Sequence, residues 1–577
     1  MLIRSFRLLS LGCAILVLFA CSREPEPQGD VLLRHVPADT PYAFVVSRQL
    51  PDKLRERMGS HYAAQLASQR QTFARALEQI EGSEQDAQTL ARARALFAVL
   101  DALFAEFEGR DSAAQLRELG IEPVPRSVIY GLGPLPAMRI EIVDRAKLNA
   151  LLDRVEQRAG VEAQRGELAG QPYRRIDVGS TDAVLAVSDQ YLIAGLLADT
   201  RFDQDLPLLL GQVLPQRTLA DSGEIAQLIA RHGFTGYGEG FIRIDELAAT
   251  LFGEGGAESR AIMQAVGFEA PPVSEGCMRL TRELVAGMPR MVMGVTAAED
   301  DRFVIRGIWE STPDVARYLQ KLAAPVPGVG ALHDGLLAMG IGIDLPELRN
   351  AIDALLRKIA SSESGCEWVD RERLQAITPQ LNLALGPMTA GIKGFNLQIE
   401  DLTIDPQTME ATDVKAGLLA AVDDPRGIFA LGAMFNPGLA ALQVPDDGSF
   451  VELPRELALD ESVPPMQVAI KDRALLLLAG GASAELGNAL SNAAVVTPSP
   501  LFAVDYGVHQ LVERFGSVMD AMVAAFNEQG QAEAAVELES QFDSFRVQAL
   551  FFDRLRVALY ASDQGLVIDE EVRLRQD

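Results

Sequence analysis

Hydrophobic and polar positions along this chain fall into a pattern that recurs. Tyr42-Ala43-Phe44-Val45-Val46 is an apolar run that passes into a helical segment from Leu50 onward. Gly240-Phe241-Ile242-Arg243-Ile244 leads likewise into Asp245-Glu246-Leu247, and Gly340-Ile341-Gly342-Ile343-Asp344 into a helix over Pro346 to Ile359. Leu501-Phe502-Ala503-Val504-Asp505 leads into His509 to Phe515. Each is a short strand followed by leucine, valine or isoleucine at three- and four-residue spacing, as in an amphipathic helix. Four such starts predict related units.

A longer order repeats as well. Met138 to Asp144 predicts a strand, Leu148, Leu151, Leu152 and Val155 a helix, and the alternation in Tyr173 to Val178 and Ala183 to Leu197 further strands. Gly417 to Asp423, then Ile428, Phe429, Leu431 and Met434, then Phe450 to Leu453 and Met466 to Leu478, follow the same order. Val187-Ser188-Asp189-Gln190 and Ile470-Lys471-Asp472-Arg473 stand at matching turns. The pattern predicts an α+β fold of internally duplicated strand-helix-hairpin units, with largely antiparallel sheets covered by helices. Ala324-Pro325-Val326-Pro327-Gly328 is the clearest break, dividing a first half over 31–325 from a second, similar half over 326–577. Alanine-rich helices from about His61 to Glu108 lengthen the first half.

The N-terminus has a different character. Arg4 and Arg7 precede the apolar stretch Leu8 to Phe19, and Leu18-Phe19-Ala20-Cys21 closes it. The stretch is short of the ~20 residues needed to cross a bilayer, and Ser22-Arg23-Glu24-Pro25-Glu26-Pro27 follows at once. The tetrapeptide resembles a lipobox. That resemblance implies a signal peptide over 1–20, cleavage before Cys21 and acylation of Cys21, so that the mature chain holds the membrane through its lipid. In the sorting pattern of such lipoproteins an aspartate after the cysteine favours the inner membrane; Ser22 favours the outer membrane, facing the periplasm. Residues 21–30 form a tether reaching at most roughly 30 Å.

The body opens with Val36-Pro37-Ala38-Asp39-Thr40-Pro41 before its first strand. Together with the signal, this opening resembles a group of uncharacterised proteobacterial envelope lipoproteins whose mature part begins with a Leu/Val-Pro-Ala-Asp-Thr stretch. The resemblance implies an address and an architecture, and carries no activity.

Cysteine usage suits that address. Of four cysteines, Cys13 leaves with the signal and Cys21 is the lipid site, so Cys277 and Cys366 remain as a pair in an oxidising compartment, which reads as a disulfide. They stand in similar settings, Ser274-Glu275-Gly276-Cys277 before Arg282-Glu283 and Ser362-Glu363-Ser364-Gly365-Cys366 before Arg371-Glu372. Closing a loop of about 90 residues would stabilise by roughly 4 to 5 kcal/mol, as a clasp between halves.

Composition narrows the function classes. With 48% hydrophobic and 23% charged residues the chain is globular, and a net charge of -28 argues against nucleic-acid binding, which needs a basic surface. No Gly-x-Ser-x-Gly elbow, His-Glu-x-x-His or phosphate loop occurs. The five histidines, His35, His61, His232, His333 and His509, are scattered, and His35, His232 and His333 read as exposed or capping residues near strands. Asp300-Asp301, Asp423-Asp424 and Asp446-Asp447 read as turn residues. No catalytic residue, metal site or cofactor is therefore expected. Leu475 to Gly481 and Phe429 to Leu442 read as a buried strand and a packed helix, or as the lining of a pocket for an apolar ligand. The function expected is a non-enzymatic binding or scaffold component of the envelope with a protein partner; the alternative is a periplasmic carrier or sensor for an apolar ligand such as a lipid.

Overall fold

A computed structural model describes residues 29–81, 87–270, 272–361, 379–380, 385–386, 389–408, 411–454, 464–482 and 484–576. The segment Met1 to Cys21 and Cys366 lie outside the described residues. Helix and strand are mixed, and the chain forms two compact units. One takes in the chain up to Pro272 and Pro289–Arg306, the other Val273–Met288 and everything from Gly307.

The first unit contains β1 (Tyr42–Val46), β2 (Ser127–Leu132), β3 (Leu135–Glu141), β4 (Gln164–Leu168), β5 (Gln171–Asp177), β6 (Thr181–Val187), β7 (Tyr191–Ala198), β8 (Glu239–Arg243) and β9 (Arg290–Ala298). They pair antiparallel in the order β9-β8-β1-β2-β3-β7-β6-β5-β4. Local chemistry sets the hairpins. Ala169 and Gly170 join β4 to β5 with φ of 50° and 81°, the left-handed pair that a two-residue hairpin turn requires. The helix Arg145–Ala159 starts where the Asp144 carboxylate accepts from Lys147 N and ends at Gly160 with φ 66°. Its Leu148, Leu151 and Val155, three and four residues apart, pack with Phe104, Phe107 and Leu116 in one apolar core. The helices Asp52–Glu81 and Ala87–Phe107 are the expected insertion after the first strand.

The strand β10 (Arg302–Glu310) carries the chain from the first unit into the second. The second contains β11 (Leu337–Gly342), β12 (Ile392–Ile404), β13 (Ala411–Val422), β14 (Val451–Glu452), β15 (Met466–Lys471), β16 (Ala474–Gly480), β17 (Phe502–Gly507), β18 (Phe552–Ser562) and β19 (Gly565–Leu574). Their order, again antiparallel throughout, is β14-β15-β16-β13-β12-β11-β17-β18-β19. Leu475 to Gly481 supplies β16, whose side chains alternate between two cores. Leu476 and Leu478 pack with Leu419 and Leu490, while Leu475 and Leu477 pack beside Phe429 and Val468.

The four strand-to-helix starts come in adjacent pairs, β1 beside β8 and β11 beside β17. Each strand runs into its helix as the pattern predicts, over Asp52–Glu81, Ile244–Leu251, Leu345–Ser361 and Val508–Glu528.

Candidate functional site

The opening segment before β1 is held from several sides. Ala38 N donates to Arg217 O (3.0 Å) and Leu219 N to Val36 O (2.8 Å), so the segment pairs with the chain beyond the helix Phe202–Leu210. Thr40, 1% exposed, accepts from Gly131 N (3.0 Å), with Gly131 O 2.9 Å from the same hydroxyl. Arg243, at the end of β8, reaches Thr40 O (2.5 Å) and Ala38 O (3.3 Å). Glu224 balances that guanidinium at 2.6 Å and also takes Arg290 at 2.9 Å. The charged residue that ends β8 thus fixes the Pro-Ala-Asp-Thr stretch in place.

Beside this segment the first unit opens into a cleft of about 900 Å3. One wall is Pro37 and Ala38 with the β2–β3 turn, where Gly133 has φ 56° and lies against Ile262. The other is the end of the helix Phe202–Leu210 and the loop after it, which leaves the helix at Gly211 with φ 75°. That loop presents Val213 and Leu214, 54% and 47% exposed, to the cleft mouth. Three of the four carboxylates that line it are paired: Asp205 receives Arg201 through two bonds of 3.0 Å, Arg201 also meets Glu258, and Glu224 holds Arg243, while Asp39 and Arg217 line the cleft as well. Aliphatic surface beside mostly paired charges suits a guest with an apolar body.

A second buried cation lies under the same helix. Arg139, 4% exposed on β3, donates to Leu209 O at 2.6 Å, so the helix C-terminus supplies the negative end that faces it. Burial, with Arg139 and Arg34 nearby, pushes His35 down to about 4. Elsewhere in the first unit, burial pushes Glu239 up to about 7, opposed by the backbone donors of Gly238, Gly236 and Tyr237 and by Arg48.

The residues singled out from sequence are placed as follows. Cys277 is 1% exposed in a small apolar cluster with Leu280, against Leu284 and Ile359; Cys366 and Cys21 lie outside the described residues. The histidines stay apart, and among the described residues no group of three or more His, Cys, Asp or Glu is placed to hold a metal. His232 is 7% exposed rather than solvated, because its ring lies 5.3 Å from Phe234. Asp424 caps the helix Pro425–Phe435, Asp446 pairs with Arg426, and Asp447 accepts from Ser449 N, all turn roles. Sequence reading missed the cleft; Val213-Leu214-Pro215, apolar residues directly after a helix-ending glycine, was the available signal. Among the described residues no helix is long and apolar enough to cross a membrane. Compared with protein-family models, curated proteins and solved structures, the chain has no match.

Proposed function

We propose that this protein is an outer-membrane lipoprotein facing the periplasm that acts by binding, without catalysis, and that the first unit's cleft receives an aliphatic ligand. The observation that carries the binding reading is the cleft of about 900 Å3, within the size range of ligand sites, with aliphatic residues in both walls and most of its charges paired. The address rests on the lipobox-like Leu18-Phe19-Ala20-Cys21 and on Ser22. Acylation at Cys21 would keep the cleft near the lipid surface from which such a ligand comes.

Two structural readings go with it. The units are read as copies of one ancestral fold, a view supported by their matching strand orders, which start from β1 and β11 and run outward alike. Cys277 and Cys366 are read as a disulfide. Support comes from the helices Glu275–Gly287 and Leu345–Ser361, joined by Lys358 and Glu283 at 3.0 Å, since Cys366 follows shortly after the second helix. The bridge would then staple two helices of the second unit.

A photoreactive long-chain alcohol applied to the full chain tests the cleft. Labelling is expected in the peptides carrying Val213-Leu214 and Ile262, falling about tenfold in Leu214→Asp, which removes apolar contact and adds a charge. Labelling spread over the chain, or indifferent to the substitution, would overturn the reading.

A further inference from the structure

The second unit has a recess of its own, of about 430 Å3. Pro325, Pro327, Ala474 and Val495 form its sides over the buried Leu419 and Leu476. The proline side is pinned: Gly328 N donates to Ala494 O (2.9 Å), and Asn396, 1% exposed, donates to Pro327 O (3.2 Å). The recess is therefore held open by backbone and by a buried amide, as ligand sites usually are before their ligand arrives.

Its rim carries Lys393, Lys471 and Arg473 with Asp344, Asp423 and Asp472. These charges are not equally committed. Lys393 lies 3.0 Å from Asp344 and 3.5 Å from Asp423, and the bond to Asp344 holds its ammonium above the usual lysine range. Lys471 bonds the neutral amide oxygen of Asn492 at 3.0 Å and has no carboxylate partner among the described residues. Arg473, 82% exposed, stands 3.8 Å from Asp423, too loose and too solvated a pair to hold it. The β15–β16 turn thus presents two available cations, Lys471 and Arg473, on either side of Asp472 (φ 50°) at the mouth of an apolar recess.

We propose that this recess binds a single-chain amphiphile with a carboxylate head, of the fatty-acid class. The chain lies along the proline and alanine side, and the head accepts hydrogen bonds from Lys471 and Arg473, charge-assisted bonds that a neutral head group cannot match. The site stands independently of the first unit's cleft.

The test uses the full chain with a photoreactive fatty acid and its alcohol analogue. The acid is expected to label peptides around Lys471–Ala474 and Ser491–Val495 about tenfold more than the alcohol. Lys471→Gln with Arg473→Gln, on an exposed turn, should remove that preference while leaving alcohol labelling at Val213-Leu214 unchanged. Equal labelling by acid and alcohol, or full labelling of the double variant, would overturn the proposal. Displacement of the acid by inorganic phosphate alone would also overturn it, as the mark of a simple anion site. Failure of the alcohol to label the first unit would count against that cleft only.

Discussion

Both units bolt the short stretch that precedes their first central strand with an arginine, but they neutralise it differently. In the first, Arg243 N donates to Pro41 O (2.8 Å) and the Arg243 side chain to Thr40 O, with Glu224 as counterion. In the second, Gly507 N donates to Leu336 O (3.1 Å), Arg554 reaches Gly335 O (2.8 Å), and Asp505 is the counterion. Glu224 and Arg243 side chains are 17% and 16% exposed, whereas Asp505 and Arg554 are 5% and 10%. Asp505 also accepts from His333 N at 3.3 Å. The first unit borrows its carboxylate from a helix at the cleft and leaves the pair partly wet; the second takes it from the neighbouring strand and seals it. One mechanical task thus has two electrostatic solutions, and the wetter one borders the large cleft of the first unit.

Breaking the sealed pair should cost most. Asp505→Ala leaves Arg554 buried without its partner, worth about 3 to 5 kcal/mol, whereas replacing both by Leu and Met should recover much of the loss. Trp309 lies in β10, in the second unit, so tryptophan fluorescence in urea reads this change. Glu224→Ala should cost less, about 1 to 2 kcal/mol, because Arg243 keeps its carbonyl partners; circular dichroism follows it. Equal losses at the two sites would break the comparison.

Glu239 provides a pH-dependent counterpart in the first unit. Its carboxyl rises from 4.5 to about 7 on folding, chiefly through burial. Between those values the folded chain holds a proton that the unfolded chain has released, so stability falls as pH rises from 4.5 to 7, by roughly 3 kcal/mol in all. His35 and His61, lowered to about 4, act in the opposite sense, adding stability as pH rises from 4 to 6.5. Glu239→Gln should therefore remove the fall and expose the rise, measured as melting temperature across pH 4 to 8.

Much of the strand pattern was legible in sequence because it is local. The runs at Tyr42, Gly240, Gly340 and Leu501 each became a strand feeding a helix, and the turns at Ser188 and Asp472 became hairpins. The long partners β12, β18 and β19 were not legible: their burial is mixed along most of their length, which blurs period-two alternation. Asp505 read as the end of an apolar run, whereas it lies mid-strand, because its partner Arg554 comes 49 residues later. The cleft as a whole was hidden for the same reason, although Val213-Leu214-Pro215 marked one part of its wall. Its walls come from positions as far apart as Pro37 and Ile262, and no local periodicity records that meeting.

Native mass spectrometry of the full chain, released gently from detergent without added ligand, tests the binding account most directly. The account expects a reproducible small apolar adduct, lost on denaturation and absent from Leu214→Asp. A bare mass carrying a specific protein partner instead, unchanged by that substitution, would contradict it and favour an envelope scaffold.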